Sequence, residues 1–258
     1  AEKELDGVKI KVPDVLSDEY CDVCGPLRPA IEALREFAAF KGYPFRLHGV
    51  TEAHRTLLEE EYSGCFEYTE DINCEDYIYS AEKLATYSGK ALHGKKNHCN
   101  RFEAENDWQF VPLTRELIPG CLDMLDVWSE ENSDRLDSSI SYEHDAIIRA
   151  FAAYERLALE GGVLLSAGKI IGFTVGEMTS SDTVDVHFEK AEGSINGAYP
   201  MVCREFTRMM MKNHPELRYV NREDDMGLEA LRFSKQSYKP EYLLKKYTAL
   251  WTGGEFGK

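Results

Sequence analysis

The sequence lacks the features that mark several large classes of protein. Its longest apolar stretch, residues 161–176, is interrupted by Lys169 and by turn residues, so it predicts two strands and not a membrane span. It has no secretory signal, lipidation motif or polybasic tail, which predicts a cytoplasmic protein, with peripheral attachment to a membrane as an alternative. A P-loop, a dinucleotide-binding glycine motif and a nucleophile elbow are also missing. The simplest expectation is therefore a reaction without a covalent enzyme intermediate.

Cysteine is present, but not in a pattern that indicates disulfides or zinc. Seven cysteines are spread over 258 residues, and this odd number favours reduced thiols in a reducing compartment. Cys21 and Cys24 form the only close pair, and no second pair or His pair at zinc-ligand spacing accompanies them. We therefore interpret CDVC as a loop feature and expect no bound metal, with metal or redox use as the alternative.

Positive charge is scarce, because 30 Lys and Arg face 46 Asp and Glu, for a net charge of −16. This balance argues against broad binding to nucleic acid, since phosphate contacts supply most of that affinity. The segment 83–101 nevertheless holds five cations and no carboxylate, and part of it lies on a predicted helix over 90–105. An anionic ligand would fit there. The candidate binding residues are Lys90, Lys95, Lys96 and Asn97.

On a helical projection of that segment, Lys95 lies to the side of the face that the other three candidates share. The alternative is a solvated helix face whose lysines pair with the surplus carboxylates of the protein.

The second half of the chain has the clearer pattern of strands and helices. Strands are predicted at 108–113, 162–167, 169–178, 183–191, 217–221 and 240–250. Helices are predicted at 113–131, 141–160, 198–211 and 226–236, and Gly161 and Gly162 would end the second of them. The resulting order, β-α-α-β-β-β-α-β-α-β, resembles the GNAT acyltransferase fold.

The first half repeats part of the second. Residues 45–80 and 217–251 each predict a strand, a turn, a helix and a strand, and an amphipathic helix precedes each of them. We therefore expect an α/β (α+β) protein of two tandem GNAT-like domains, with mixed sheets flanked by helices. Residues 1–105, including the basic linker helix 90–105, would form an incomplete first copy, and residues 106–258 the second. The chain begins without Met, so we expect N-terminal residues to be missing, and the junction of the two halves is where a ligand cleft is expected.

The predicted strand 183–191 carries a row of polar side chains. Regular strand alternation places Asp185, His187 and Glu189 on one face and three apolar residues on the other. In a sheet that is covered on both sides, such a row either lines a cavity or is internally paired. His187 would titrate near neutral pH, and Glu189 would serve as a base if burial raised its pKa. A half-exposed strand gives the same alternation and is the alternative.

The densest motif is NREDDMGLEALRFSKQSYKP, at 221–240. Three carboxylates at 223–225 lie at a strand-to-helix turn, where they gain from the helix dipole. That capping role does not account for Arg222 before them, or for Lys235 and Tyr238 after them. By contrast, EGSINGAYPMV lacks the basic-x-x-Gly-x-Gly/Ala signature that holds the pyrophosphate of coenzyme A, which weakens an acyl-CoA-dependent interpretation.

Three segments, at 75–102, 186–206 and 219–249, closely resemble a bacterial family labelled as phosphatidylglycerol lysyltransferase C-terminal domain proteins. That family is similar to the lysyl-phosphatidylglycerol synthases and to the Fem-type peptidoglycan aminoacyltransferases, which move an aminoacyl group from aminoacyl-tRNA to an amine or hydroxyl. The resemblance implies an aminoacyltransferase with aminoacyl-tRNA as donor, a lipid head group or another small molecule as acceptor, and no cofactor. The alternatives are an acyl-CoA-dependent N-acyltransferase, which would bind coenzyme A, and a non-catalytic ligand-binding domain.

The resemblance also implies roles for individual residues. The relatives carry a basic residue and a Lys/Phe/Tyr-x-Pro segment near the aminoacyl donor, which Lys235, Tyr238 and Pro240 match by position. Lys235 is expected to stabilise the developing oxyanion, and Asp224 or Asp225 to hold the α-ammonium of the aminoacyl group. His187 and Glu189 complete the expected catalytic set, and Arg222 and Tyr238 the expected binding set.

Overall fold

The computed structural model describes residues 2–5, 8–11, 27–132 and 139–253, and it describes side chains from residue 27 onward except at 139–141. The chain forms two compact units, one of residues 1–74 with 245–258 and one of residues 75–244. The Cys21 and Cys24 pair lies outside the described residues, so its interpretation as a loop feature stays a prediction.

The elements are numbered in chain order. The strands are β1 (Glu2–Leu5), β2 (Val8–Lys11), β3 (Arg46–Thr51), β4 (Phe66–Glu70), β5 (Asp76–Ser80), β6 (Trp108–Pro112), β7 (Glu160–Ser166), β8 (Lys169–Met178), β9 (Thr183–Ala191), β10 (Tyr219–Asn221), β11 (Tyr242–Leu244) and β12 (Lys246–Trp251). The helices are α1 (Leu27–Lys41), α2 (Glu52–Glu61), α3 (Ala81–Thr86), α4 (His93–Glu105), α5 (Ile118–Asn132), α6 (Ser139–Ala152), α7 (Ala198–Asn213) and α8 (Glu229–Ser237). A 3-10 turn at Lys90–Leu92 leads into α4.

The first unit contains a three-stranded antiparallel sheet in the order β3-β12-β4. Its core combines Phe45, Phe66 and Tyr62 with apolar side chains of the two helices, Ile31 on α1 and Leu58 on α2. The strands β1 and β2 pair with each other in antiparallel fashion.

The second unit is built on a seven-stranded sheet in the order β11-β5-β10-β9-β8-β7-β6. Only β9 and β10 run parallel, and the other neighbours are antiparallel. Val163 and Leu164 are adjacent on β7 but belong to different cores, because strand side chains alternate between faces. Leu164 packs in the core that contains Met201 of α7, and Val163 in the core that contains Leu125 of α5. Helices therefore cover both faces of this sheet, as expected for an α/β architecture.

A β-bulge interrupts β9 at His187. Val175 of β8 pairs with Phe188, but the next residue of β8 pairs with Val186, so His187 is the extra residue on β9. As a result Val184 and Val186 join the core on the α7 side, whereas Phe188 packs against the other core. The prediction of regular alternation along this strand is therefore wrong from His187 onward.

Two further predictions about elements are wrong. The predicted strand 240–250 is two strands, since β11 pairs with β5 in the second unit and β12 lies in the sheet of the first unit. Gly161 and Gly162 lie within β7 and do not end a helix, because α6 already ends at Ala152. A Cβ atom on Gly162 would lie 2.1 Å from Cζ of Phe110, which explains the need for glycine inside the strand.

The predicted class, an α/β protein with mixed sheets flanked by helices, is confirmed. The compact units do not divide at the predicted 105/106 boundary, because β5 pairs in the seven-stranded sheet and α3 and α4 pack against α7. The internal duplication stays a prediction.

Candidate active site

A cavity of about 590 Å³ opens in the second unit where β9 and β10 separate. The two strands pair only as far as Asp185 and Asn221, after which β10 ends and β9 continues to Ala191. The described residues that line the cavity come from β9, the loop 222–228, helices α5, α6, α7 and α8, and the residue that directly follows α8. They are Trp128, Glu143, Val186, His187, Glu189, Lys190, Tyr199, Arg222, Glu223, Asp224, Met226, Leu228, Glu229, Ala230, Leu231, Ser234, Lys235 and Tyr238.

The centre of the cavity wall is a buried ion pair between Arg222 and Glu189. Nη2 of Arg222 lies 2.7 Å from Oε1 of Glu189, and the two side chains are only 13% and 8% exposed. Burial raises the pKa of Glu189, while Arg222 and the nearby lysines oppose that rise. Nη1 of Arg222 is buried and has no hydrogen-bond partner among the described residues. The pair therefore combines a carboxylate of increased basicity with an unused N–H donor.

The Tyr238 ring packs against the Arg222 guanidinium of this pair and also contacts the ammonium of Lys95. The Arg222 guanidinium lies 4.6 Å from the centre of the Tyr238 ring, and Nζ of Lys95 lies 3.7 Å from it. Burial, together with the charge of Arg222, lowers the pKa of Lys95. Lys95 is thus part of the wall behind the cavity and does not line it.

Of the four candidate binding residues in the basic segment, only Lys95 points toward Tyr238 and the Arg222–Glu189 pair. Lys90, Lys96 and Asn97 are exposed. A helical projection predicts that Lys95 lies to the side of the binding face, but Lys95 lies on the side of α4 that faces the core. Lys90, Lys96 and Asn97 therefore lie on a solvated face, away from the cavity.

His187 is held between two carboxylates. Nδ1 lies 3.1 Å from Oε1 of Glu223, and Nε2 lies 3.0 Å from Oε1 of Glu177. These hydrogen bonds, led by the one to Glu223, raise the pKa of His187 to about 9 despite its burial. At neutral pH the ring is an imidazolium that donates both protons, so it does not serve as a base in this arrangement.

The same corner of the cavity is where a metal ion would be held. Ligand atoms of Asp185, His187 and Glu223 all lie within 4.8 Å of one another. A metal there would require His187 to lose a ring proton, because a metal binds neutral imidazole.

Lys235 lies beside the ion pair but points its ammonium at the main chain. Nζ contacts the carbonyl oxygens of Arg222 at 2.5 Å, of Glu223 at 3.2 Å, and of Asp224. Burial and the charge of Arg222 lower the pKa of Lys235 to about 8. An ammonium has three donors, so these contacts use all of them and leave none for an oxyanion.

The carboxylates of the 221–240 motif have different environments. Asp225 is buried, and its oxygens accept hydrogen bonds from the Tyr77 hydroxyl at 2.6 Å, from Arg232 at 2.7 and 2.9 Å, and from the amide of Gly227 at 2.9 Å. The hydrogen bonds from Arg232 lower its pKa to about 2. Asp225 therefore fixes the start of α8, whereas Asp224 lines the cavity.

The opposite wall of the cavity is not predicted from the sequence. Lys190 lies 3.9 Å from the centre of the Trp128 ring and 2.8 Å from Oε2 of Glu143, and Nε1 of Trp128 donates to the Tyr199 hydroxyl at 2.9 Å. Trp128 has the helical spacing of an apolar core residue, which hides its place in the cavity wall. The signal available in the sequence is Lys190, a lysine inside a predicted strand.

The loop before α7 packs closely against α4 at Gly197. Gly197 has φ of 89°, and a Cβ atom there would lie 2.6 Å from the carbonyl oxygen of His98 on α4. Asn196 is bonded to the His98 ring at 2.7 Å, and Glu192 pairs with Lys169 at 2.6 Å. The helix α4 thus packs directly on the turn that would hold coenzyme A in the alternative interpretation.

The fold and the cavity define an α/β domain with a polar site at the end of a parallel strand pair. Residues 20–250 match the family described as phosphatidylglycerol lysyltransferase, C-terminal. The chain belongs to that family.

Several known proteins are similar to this chain. A conserved protein of unknown function from Bacteroides thetaiotaomicron has a similar structure, with 37% identity, a TM-score of 0.82 and coverage of 89% of this chain and 77% of that one. L-PGS from Bacillus licheniformis shares the fold, with 20% identity, a TM-score of 0.56 and coverage of 90% and 76%. An uncharacterized protein of Mycoplasmoides gallisepticum is 28% identical over 179 residues, which are 67% of this chain and 54% of that protein. This chain thus spans about half of that relative.

Across the described ranges, none of the helices combines the length and the apolar character that crossing a bilayer requires.

Proposed function

We propose that this chain transfers an aminoacyl group from aminoacyl-tRNA to an amine or hydroxyl acceptor, and that the reaction takes place in the cavity beside β9. The observation that carries the proposal is the buried Arg222–Glu189 pair, whose members lie 2.7 Å apart in the cavity wall. Membership of a lysyltransferase family supports the same class of reaction.

Glu189 is the general base in this proposal. The acceptor oxygen or nitrogen attacks the ester carbonyl carbon, and its proton passes to the Glu189 carboxylate. The ester bond to the tRNA then breaks, and the released ribose oxygen takes that proton, so the carboxylate is restored. Burial raises the pKa of Glu189, which makes it a stronger base than an exposed glutamate.

Arg222 is the donor to the carbonyl oxygen. Its Nη1 group is buried without a partner among the described residues, and it belongs to a guanidinium that Glu189 already orients. A preorganised donor of this kind stabilises the charge that develops on the oxygen in the transition state. Lys235, the residue expected from the resemblance, uses its donors on the main chain.

The α-ammonium of the aminoacyl group would bind near Asp224. Asp224 and Glu229 both line the cavity at the loop and at the first turn of α8, and Glu229 is exposed. An ion pair at this position would orient the ester toward Glu189. The acceptor is an amine or a hydroxyl, and a lipid head group is one candidate.

Binding measurements with two donors test the proposal. Labelled aminoacyl-tRNA and labelled acetyl-CoA are compared at low and moderate salt, because phosphate contacts make tRNA binding depend on salt. The variant Lys90→Glu/Lys96→Glu changes two exposed lysines, and Lys212→Glu on α7 is the matched control outside the basic segment. Lys95 is left intact, since a carboxylate against the Tyr238 ring would disturb the wall.

We expect salt-dependent binding of tRNA and no saturable binding of acetyl-CoA. If the basic segment contacts the tRNA, the double variant has a shallower salt slope, by about one unit for each lost phosphate contact. Binding of acetyl-CoA alone would support the N-acyltransferase alternative, and binding of neither donor would support a ligand-binding domain.

A further inference from the structure

Three successive carbonyl groups of the cavity loop converge on one ammonium. They belong to Arg222, Glu223 and Asp224, and the ammonium is that of Lys235, in the last turn of α8. Successive carbonyls do not converge in a helix or a strand. Here they do because Glu223 has φ of 53°, in the left-handed region that residues other than glycine rarely adopt.

We propose that Lys235 is a positioning residue, which holds the loop 222–224 in its left-handed turn and so sets the positions of the Arg222 and Glu223 side chains. The catalytic consequence rests on the proposed function, but the geometry does not.

The turn determines where two neighbouring side chains reach. Arg222 extends to Glu189 at 2.7 Å, and Glu223, the next residue, extends to His187 at 3.1 Å. The amide of Glu223 is held at the same time by the Asn221 side chain at 2.9 Å. If Glu223 relaxed to an ordinary conformation, the directions of both side chains would change together.

The contact is electrostatic and not a matter of filling space. Three carbonyl dipoles directed at one point repel each other unless a cation lies between them. Methionine would fill the same volume as Lys235 but would supply no charge. We therefore expect that methionine at position 235 does not hold the left-handed turn, whereas a separately added ammonium ion restores it.

The amide of Glu223 is a reporter of the loop that needs no substrate. It donates to the Asn221 side chain at 2.9 Å within the left-handed turn, so loss of the turn would break that hydrogen bond. In Lys235→Met at pH 7 we expect this amide to lose its protection against hydrogen exchange, as followed by NMR of ¹⁵N-labelled protein. Lys212→Met on the exposed end of α7 is the matched control and should leave the exchange of this amide unchanged.

Chemical rescue separates positioning from simple packing. In Lys235→Ala at pH 7, added n-propylammonium should restore the protection of the Glu223 amide, whereas n-propanol should not. If Lys235→Met does not fold, Lys235→Ala with and without the amine gives the same comparison. Wild-type protection of the Glu223 amide in folded Lys235→Met would overturn the proposal, as would equal rescue by the alcohol.

Failure of this proposal is distinguishable from failure of the proposed function. The exchange measurement involves no tRNA, so it reports on the loop even if no aminoacyl group is ever transferred. Conversely, an active enzyme whose Glu223 amide is unaffected by Lys235→Met would contradict only the positioning role.

Discussion

Removing one member of the Arg222–Glu189 pair should destabilise the second unit far more than removing both. The side chains are 13% and 8% exposed, so each depends on the other for compensation of its buried charge. Loss of one partner of such a pair costs about 3–5 kcal/mol, whereas replacing both by apolar groups is often close to neutral. We therefore expect a coupling free energy of about 3 kcal/mol or more from the double-mutant cycle of Glu189→Leu and Arg222→Met.

The two single variants should also differ from each other. A guanidinium cannot give up its proton, so Glu189→Leu leaves a permanent buried charge. This variant should therefore show the full loss of unfolding free energy. In Arg222→Met the remaining carboxylate can take up a proton, because burial already raises the pKa of Glu189. The folded state of that variant then binds more protons than the unfolded state. Its loss of unfolding free energy relative to wild type should therefore shrink as the pH falls from 7 toward 5.

The assay is urea unfolding followed by tryptophan fluorescence in a Trp251→Phe background. Trp251 belongs to the first unit, whereas Trp108 and Trp128, the other two of the three tryptophans, report on the second. The control pair is Lys169 and Glu192, whose lysine is 71% exposed, and its cycle should give less than about 1 kcal/mol. Additive losses at Arg222 and Glu189 would refute the reasoning.

Three further predictions concern residues around the cavity. Asp225→Asn should lower the free energy of unfolding by about 2 kcal/mol at pH 7, since the pKa of Asp225 lies near 2 and not at its ordinary 3.8. Because the pKa is depressed in the folded state, the difference from wild type in urea titrations should hold above about pH 4 and shrink as the pH falls toward 2. Lys95→Met should alter donor affinity or the transfer rate, whereas Lys96→Met, on the exposed side of α4, should alter only the salt dependence of binding, as filter binding would measure. Gly197→Ala should lower the melting temperature, because both its φ of 89° and the His98 carbonyl oppose a side chain there; a variant as stable as wild type would contradict the tight packing of α4 on this loop.

Much of the architecture could be predicted from sequence, because the helices and strands of the second unit have strong periodicity and clear turns. The splitting of 240–250 into β11 and β12 could not. The residues of β11 and β12 together have the composition of one continuous strand. Only their pairing separates them, because β11 pairs with β5 and β12 pairs with β3 and β4.

The site was partly predictable for a related reason. Local sequence identified the motifs that hold Glu189, Arg222 and Lys235, but not what each side chain touches. The bulge at His187 reverses the alternation of β9, and its cause is a register shift against β8 that the sequence of one strand does not reveal.

The three acidic residues at 223–225 illustrate the same limit. They look equivalent along the chain, yet Glu223 pairs with His187, Asp224 lines the cavity, and Asp225 is saturated by Arg232 and Tyr77. The left-handed backbone at Glu223 directs consecutive side chains differently. Glycine or asparagine at position 223 would have indicated such a turn, but a glutamate does not.

The most direct test of the account is a single-turnover transfer assay with labelled aminoacyl-tRNA, a panel of amine and hydroxyl acceptors, and Glu189→Gln beside wild type. Glutamine keeps an oxygen for Arg222 but cannot accept a proton, and Glu143→Gln is the control carboxylate on the other wall of the same cavity. We predict transfer by wild type, a loss of about 10²-fold or more in Glu189→Gln with tRNA binding retained, and a smaller effect in Glu143→Gln. Transfer by Glu189→Gln at the wild-type rate would contradict the central claim that this buried carboxylate is the base.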